Sequence, residues 1–344
     1  MDSKIDICSA ISFENKVAGH DGVLQDASGA VIIKPASPYE VDFYTTISQH
    51  PELENIIPQF YGTLQLTQES IESIESKAES QTLSMSHLIT DVEQAIVLEN
   101  VTAGFTKPSV IDIKLGRQLW DDRASPEKRA RLDAVASKTT SGSLALRIAG
   151  MKIWDQNTSQ FKSYDKNYGR SFTAETIKEG ISAFFPSTLG RERQKIVLQR
   201  IISSVSNIQT VLENEELRMY SSSILIVYET DLDAFDMVLK SENTDKEYEK
   251  EQAEIQEEEE DEEELEFLDT IELNGIIERT LDTKEMNNSL ADESDDEFEE
   301  RELCIVKLID FAHASWTPGK GKDVNMLEGV VNCRLLFENL LNSL

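Results

Sequence analysis

Asp112 and Lys114 form the first pair in this chain whose residue types and spacing suggest chemistry. They lie two apart in an apolar stretch, and side chains two apart on a β-strand point to the same face. Such a strand would present a carboxylate and an ammonium group side by side, between Pro108 and a sharp exit at Gly116. A surface strand with a paired Asp and Lys has the same pattern, so the spacing alone leaves both interpretations open.

A second acidic residue, Asp310, closes the apolar stretch LCIVKLID and is followed by Phe311 and His313. A carboxylate at the end of a strand suits a magnesium ligand, because Mg²⁺ takes one or two carboxylates together with phosphate oxygens and water. The string D-F-A-H also parallels the D-F-G aspartate of protein kinases. A lone aspartate after a strand is otherwise a turn residue or a cap, and the string by itself does not decide between these roles.

Lys34 and Glu40 could form a lysine–glutamate pair of the kind that binds nucleotide phosphates. Lys34 ends the strand-like stretch AVIIKP, and Glu40 opens a segment with helical character. Protein kinases hold the strand lysine that contacts the ATP phosphates with a glutamate from a helix. Two solvated surface charges would give the same local pattern.

A basic stripe is predicted on a helix that begins at Ser125-Pro126, with serine as the N-cap and proline at the first helical position. Lys128 and Arg131 are three apart and Lys138 follows seven residues later, which places the three on one face. A stripe of cations can bind a polyanionic ring through charge-assisted hydrogen bonds. A solvated helix face is the alternative.

The elements that would position these residues alternate between strands and helices. Five apolar stretches are predicted as strands, namely AVIIKP, AIVLEN, SLALRIAGMKIW, SSSILIVYE and LCIVKLID. Besides the helix at Ser125-Pro126, helices are predicted from Thr173 to Phe185, from Leu189 to Met219 and from Asp323 onwards. In the helix from Leu189, an apolar stripe should pack into the core. The fold class predicted from this mixture is α+β.

The complete string P-x-x-x-D-x-K-x-G from Pro108 to Gly116 resembles the signature of the inositol polyphosphate kinase family. Further blocks follow the order of that family along nearly the whole chain: VAGHDG, IIKP, E-x-x-F-Y, LEN, GMKIW, YGRSFTAETIKEG, SSSILIVYE and IDFAHA. The chain is most similar to the multikinase branch of the family. The resemblance implies a two-lobed fold, distantly like that of a protein kinase, with ATP in the cleft between the lobes.

The resemblance also implies how ATP and Mg²⁺ would be bound. Lys34 would contact the ATP phosphates, and the backbone near Glu99 and Val101 would hold the adenine. Asp112 would bind the ribose hydroxyls, and Asp310 would be the metal ligand.

For the inositol phosphate substrate, the resemblance implies a set of basic side chains. Lys114 would lie between donor and acceptor and is, with Asp310, the predicted catalytic residue. The remaining predicted substrate-binding residues are Lys128, Arg131, Lys152 and His313. Arg147 and Arg170 have less support, because either could instead pair with an acidic side chain.

The charge of the chain is concentrated in one segment. The formal net charge is −32, and residues 241–302 contain 28 acidic and five basic residues. Like charges at this density and low apolar content predict a disordered acidic insert within a folded domain. The insert could bind basic nuclear proteins or transcription factors, and no direct nucleic-acid binding is expected.

The three cysteines, Cys8, Cys304 and Cys333, are scattered and fit neither a zinc site nor a disulfide framework. No apolar run approaches the roughly 20 residues that a membrane helix needs, and the N-terminus shows no secretory signal. These features predict a reducing compartment, namely the nucleus, the cytoplasm or both. The chain is also expected to be a monomer without a membrane span.

These assignments divide the chain into four parts. Residues 1–100 are predicted as an N-terminal β-rich ATP-binding lobe, and residues 101–240 as a C-terminal lobe with the signature and the substrate-binding helices. Residues 241–302 form the acidic insert, and residues 303–344 complete the C-terminal lobe with the metal-binding motif.

The predicted function is transfer of the ATP γ-phosphoryl group to hydroxyls of soluble inositol phosphates, from inositol trisphosphate to tetrakis- and pentakisphosphate. About 34 residues separate Gly116 from Gly150, and this short segment favours a small, open, permissive site. Two alternatives stay open. One is a kinase of the same family restricted to inositol trisphosphate or inositol hexakisphosphate, and the other is an interaction or transcription-regulatory protein that acts through its acidic insert.

Overall fold

A computed structural model describes residues 10–13, 15, 17, 22–65, 94–244 and 301–344. The chain divides into two compact units, Met1–Ala234 with Glu302–Leu344, and Phe235–Arg301. All strands and helices named below belong to the first unit, apart from a helix at residues 232–244 that continues into the second. The acidic insert and the middle of the VAGHDG block lie outside the described residues, so the predictions made for them stay predictions.

The first sheet has five strands in the order β1-β2-β3-β5-β4, paired antiparallel throughout. Its strands are β1 (Ile11–Ser12), β2 (Leu24–Gln25), β3 (Val31–Pro35), β4 (Phe60–Gln65) and β5 (Gln94–Glu99). The predicted strands AVIIKP and AIVLEN are thereby confirmed. They pair with each other, which places Lys34 opposite Ile96.

The second sheet has the order β11-β10-β6-β7-β8 and is also antiparallel. Its strands are β6 (Pro108–Leu115), β7 (Leu146–Asp155), β8 (Gln160–Tyr164), β10 (Ser223–Glu229) and β11 (Cys304–Ile309). A small two-stranded sheet joins β9 (Leu217–Met219) to β12 (Ala314–Trp316). The signature strand β6 therefore lies at the centre of the second sheet, with β10 on one side and β7 on the other.

The described part of the chain also contains nine helices and two short 3₁₀ turns. The helices are α1 (Pro38–Thr46), α2 (Pro51–Glu54), α3 (Pro126–Ser137), α4 (Thr140–Leu144), α5 (Lys166–Arg170), α6 (Ile177–Ser182), α7 (Arg191–Asn214), α8 (residues 232–244) and α9 (Val324–Leu341). None of the helices within these residues is long and apolar enough to cross a membrane.

Helix α3 begins as its sequence predicts. The Ser125 hydroxyl accepts a hydrogen bond from the Lys128 backbone N–H at 3.2 Å, and Pro126 occupies the first helical position. Lys128 is half-buried and Arg131 is exposed on this helix, whereas Lys138 is the residue at its C-cap. The predicted stripe therefore spans two cations on the helix and one just beyond it.

Two of the helix predictions were too long. The apolar stripe of α7 is buried as expected, and it consists of Val197, Ile201, Val205, Ile208 and Leu212. The helix ends at Asn214, however, and Leu217–Met219 forms β9 because it pairs with β12 about a hundred residues later. The helix predicted from Thr173 to Phe185 is regular only over Ile177–Ser182.

Gly116 and Gly329 explain how the signature strand exits. Gly116 has φ +90°, a conformation that favours glycine, and a Cβ there would lie 2.6 Å from the Asn325 side-chain nitrogen. Its N–H donates to the Ala145 carbonyl at 2.7 Å. A Cβ on Gly329 of α9 would lie 2.4 Å from that same carbonyl oxygen. Two glycines thus allow α9 to pack directly against the end of β6.

The Gly329→Ala variant is expected to lower the free energy of unfolding by about 2–3 kcal/mol, because the methyl group would meet backbone that cannot move aside. The direction of this change in unfolding free energy is informative, because alanine normally stabilises a helix interior by about 1 kcal/mol relative to glycine. Urea unfolding followed by circular dichroism measures the change. Gly104→Ala is the matched control, because a Cβ there meets nothing within 4 Å. A Gly329→Ala protein as stable as the control would show that this packing is wrong.

Candidate active site

A cavity lies between the faces of the two sheets in the first unit. Its lining includes many apolar side chains, among them Val17, Val23, Ile32, Leu98, Val101, Val110, Leu225 and Ile309. Four charged residues, Lys34, Glu99, Asp112 and Asp310, also line it. A concave apolar pocket with a few convergent charged groups is typical of a small-molecule site.

Lys34 is buried with its ammonium group between two carboxylates. Its Nζ donates to Glu40 Oε1 at 2.7 Å and to Asp310 Oδ1 at 3.0 Å, and only 7% of the residue is exposed. Burial opposes the charged form, but the Glu40 and Asp310 carboxylates outweigh it and hold the pKa of Lys34 well above its ordinary value. The predicted lysine–glutamate pair is therefore present, and Lys34 is a fixed cation.

Asp310 follows directly after β11 and brings the two predicted lysines together. It has φ +68°, a left-handed conformation that Asp and Asn tolerate better than other non-glycine residues. The Ser222 hydroxyl donates to the Asp310 carbonyl at 2.8 Å and helps to hold this turn. The second carboxylate oxygen of Asp310 accepts from Lys114 Nζ at 3.1 Å. Two cations from different sheets thus meet on one carboxylate.

Lys114 has an acceptor for each of its three N–H donors. Besides Asp310, its Nζ donates to the Ser221 carbonyl at 2.9 Å and to the Ser223 hydroxyl at 3.1 Å. Three acceptors around one amine suit the protonated ammonium form. The environment therefore supports a role in charge neutralisation and hydroxyl positioning, and does not support one as a general base.

Asp112 is buried on the same strand, and one of its oxygens is unsatisfied. The residue is 1% exposed, and Oδ1 has no hydrogen-bond partner within the described structure. Burial raises the pKa of its carboxyl group, and the nearby Lys114 charge works in the opposite direction. A buried carboxylate oxygen without a donor is costly, so this atom suits a ligand hydroxyl or a cation.

The connector after β5 also lines the cavity, through Glu99 and Val101. The Glu99 carboxylate accepts from the Gln59 backbone N–H at 3.1 Å. The Asn100 side chain accepts from the Thr102 N–H at 3.0 Å and from its hydroxyl at 2.8 Å. These bonds fix the backbone of the connector beside the apolar part of the cavity.

His313 is held by an aspartate that the sequence did not single out. The Nδ1 atom of His313 lies 2.8 Å from Asp121 Oδ2, and Arg123 binds the same carboxylate. Burial opposes ionisation of Asp121, but the hydrogen bonds from His313 and Arg123 lower the pKa of its carboxyl group. The Arg123 guanidinium also stacks 3.6 Å from the centre of the exposed Tyr39 ring.

Lys152 is not brought together with Lys114. In the sheet it lies opposite Val110, four residues along β6 from Lys114, or about 13 Å. Its Nζ donates to the Asn15 side chain at 3.0 Å and lies over the Phe161 ring. The residue opposite Lys114 is Arg147. The assignment of Lys152 to the substrate stays a prediction, and so do those of Lys128 and Arg131 on α3.

The sequence model described as "Inositol polyphosphate kinase" matches residues 95–338, which is well over half of the chain. The chain belongs to the inositol polyphosphate kinase family. This membership agrees with the resemblance inferred from the signature strand and from the ordered blocks around it, and it makes the chain a kinase.

Relatives in this family are similar along most of the chain. The inositol polyphosphate multikinase of Saccharomyces cerevisiae is 31% identical and covers 92% of this chain and 94% of its own length. That of Schizosaccharomyces pombe is 36% identical over 63% of this chain and 78% of its own length. The human multikinase is 27% identical over 64% of this chain and 51% of its own length.

Solved structures confirm the inositol polyphosphate kinase fold that the sequence predicted. A crystal structure of the inositol phosphate multikinase Ipk2 from S. cerevisiae, in complex with ADP and Mn²⁺, aligns with a TM-score of 0.59 and 29% identity. The alignment covers 91% of this chain and the whole of the yeast chain. A second multikinase structure, 20% identical with a TM-score of 0.51, supports the fold alone.

Proposed function

We propose that this member of the inositol polyphosphate kinase family is an ATP-dependent multikinase for soluble inositol phosphates, adding phosphates to inositol trisphosphate at more than one position. The observation that carries the proposal is the convergence of Lys34 and Lys114 on Asp310 at the edge of an apolar cavity. Two cations and a carboxylate at one point are what phosphoryl transfer needs, since its catalysis is mostly positioning and charge neutralisation.

ATP would enter the cavity with its base at the connector. The apolar lining there suits a purine, and the fixed backbone near Glu99 and Val101 would read its edge. Asp112 Oδ1 would accept a hydrogen bond from a ribose hydroxyl, which would satisfy an oxygen that is otherwise buried without a partner. Lys34, held by Glu40, would then contact the phosphates.

Asp310 would hold a divalent cation, which we propose to be Mg²⁺. Carboxylate oxygens are the ligands that this hard ion prefers, and Asp310 lines the same cavity as the unsatisfied Asp112 oxygen. The yeast Ipk2 structure contains ADP with Mn²⁺. When bound, the ion would neutralise charge that develops on the transferring phosphate.

The acceptor would lie beyond Lys114, on the side of His313. Lys114 would orient the attacking hydroxyl and neutralise charge on the transferred group. Asp121 fixes the ring of His313, so that its other nitrogen can contact a hydroxyl or phosphate of the inositol ring. Lys128 and Arg131, near the start of α3, are proposed to bind ring phosphates, and Lys152 is kept as a weaker candidate because it contacts Asn15.

The purified protein is expected to add at least two phosphates to inositol 1,4,5-trisphosphate, because a shallow arrangement of lysines and arginines can accept the ring in more than one orientation. A panel of inositol phosphates incubated with labelled ATP, with products resolved by chromatography, tests this. The Asp310→Asn protein is the control for contaminating kinases. A reaction that stops at one tetrakisphosphate with excess ATP would favour the narrow-specificity alternative, and failure with every inositol phosphate would overturn the proposal.

A further inference from the structure

Arg147 stands directly across from Lys114 because of an irregularity in the sheet. The pairing of β6 with β7 runs regularly from Val110 opposite Lys152 to Asp112 opposite Gly150, and then shifts so that Ile113 faces Ile148. The extra residue on β7 puts Arg147, not Ile148, opposite Lys114. Directly opposed residues project from the same face, and β-bulges near active sites often redirect a side chain in this way.

Helix α5 adds a second arginine beside the first. Gly169 packs so closely on β7 that a Cβ there would lie 1.8 Å from the Ile148 carbonyl oxygen. The next residue along α5 is Arg170, which is exposed. Burial lowers the pKa of Arg147, the Arg170 charge lowers it further, and Asp112 acts in the opposite direction. The packing of α5 on β7 therefore brings Arg170 to the part of the sheet that carries Arg147.

Neither arginine is in a salt bridge within the part of the chain that the structure describes, although the Asp112 charge acts on Arg147. Arg147 is half-buried and makes one hydrogen bond, from Nη1 to the Ser141 hydroxyl at 2.9 Å. Neither Arg147 nor Arg170 forms an ion pair with a described acidic side chain. Elsewhere in this acidic protein, arginines do pair with acids, as in Arg117 with Glu328.

Like charges held close together destabilise each other, and a bound anion would lower that cost. A guanidinium offers five N–H donors in a plane that matches a phosphate group. The position next to Lys114 is also where a ring with several phosphates would extend from the reacting hydroxyl. We propose that Arg147 and Arg170 form a subsite for one phosphate of the inositol phosphate acceptor, an inference that rests on the function proposed above.

Isothermal titration of inositol 1,4,5-trisphosphate into the full-length protein without nucleotide tests the subsite independently of turnover. Arg147→Gln is expected to weaken binding tenfold to a hundredfold, Arg170→Gln about threefold to tenfold, and Arg147→Lys less than Arg147→Gln. The KM for ATP should stay within threefold of the parent. Arg191→Gln, an exposed arginine at the start of α7, is the control and should bind like the parent.

Inositol bisphosphates that each lack one phosphate of inositol 1,4,5-trisphosphate show which phosphate the subsite binds. One of them should bind the parent and Arg147→Gln equally, because it lacks the phosphate that the subsite holds. Equal affinity of parent and both glutamine variants for the trisphosphate, or no binding by the parent, would overturn the subsite. If Arg147→Gln does not fold, the exposed Arg170→Gln decides in the same way. A parent that binds the trisphosphate but never phosphorylates it would overturn the proposed function and leave the subsite standing.

Discussion

The Asp310→Asn variant is expected to lose turnover by a factor on the order of a hundred to a thousand while remaining folded. The asparagine cannot provide the anionic oxygen that we propose for the divalent cation, and it no longer attracts both Lys34 and Lys114. Asparagine is the appropriate replacement because residue 310 has φ +68°, a conformation that asparagine tolerates better than alanine. Lys34 keeps Glu40 as its partner, so the buried cation is not left unpaired.

Measurement of kcat across a range of Mg²⁺ concentrations tests this prediction, with the melting temperature as the test of folding. Asp42→Asn on α1 serves as the control, because it removes the same charge from an exposed position near the site. A kcat within tenfold of the parent at saturating Mg²⁺ would exclude Asp310 as a metal ligand.

The sequence predicted those parts of the site that depend on patterns among a few neighbouring residues. Alternation in the signature strand placed Asp112 and Lys114 on one face. Asp112 lines the cavity, and Lys114 donates a hydrogen bond to Asp310. The strand position of Lys34 and the helix position of Glu40 were readable from short apolar patterns and from turn chemistry. The parallel with protein kinases predicted the contact of Lys34 with Glu40. Only the fold shows that Lys34 meets Asp310 across 276 positions of sequence.

The parts that sequence reasoning missed depend on long-range contacts. Asp121 looks like an ordinary turn residue, since its carboxylate accepts from the Arg123 backbone, and its contact with His313 spans 192 positions. The bulge that puts Arg147 opposite Lys114 leaves no mark in the strand's own alternation. Leu217–Met219 continues an apolar pattern and becomes a strand only because a partner strand reaches it.

The Lys34→Met variant is expected to lose both stability and activity, and the two losses should separate in a double variant. Removing the ammonium group leaves the Glu40 carboxylate 2% exposed without its cation, which should cost about 3–5 kcal/mol of unfolding free energy. Phosphoryl transfer should fall by at least about a hundredfold, because the proposed phosphate contact is gone.

The double variant Lys34→Met with Glu40→Gln should recover most of the stability and none of the activity. Glutamine keeps a side-chain oxygen for the Phe311 backbone N–H, which donates to Glu40 Oε1 at 3.2 Å in the parent, while the uncompensated buried charge is removed. Urea unfolding and steady-state kinetics on the parent, both single variants and the double variant give the complete cycle.

The pH dependence of the difference in unfolding free energy between the parent and Lys34→Met gives an independent check. The pKa of Lys34 is raised in the folded protein, so the stability that its charge contributes is fully present below the unfolded pKa of about 10.4 and is lost only as the pH rises through the folded value. The stability difference due to Lys34 should therefore not fall as the pH rises from about 6 to 9. A difference that disappears within this range would mean that Lys34 is not a permanently charged group.

Activity restored in the double variant would mean that Lys34 balances Glu40 and does not contact the nucleotide.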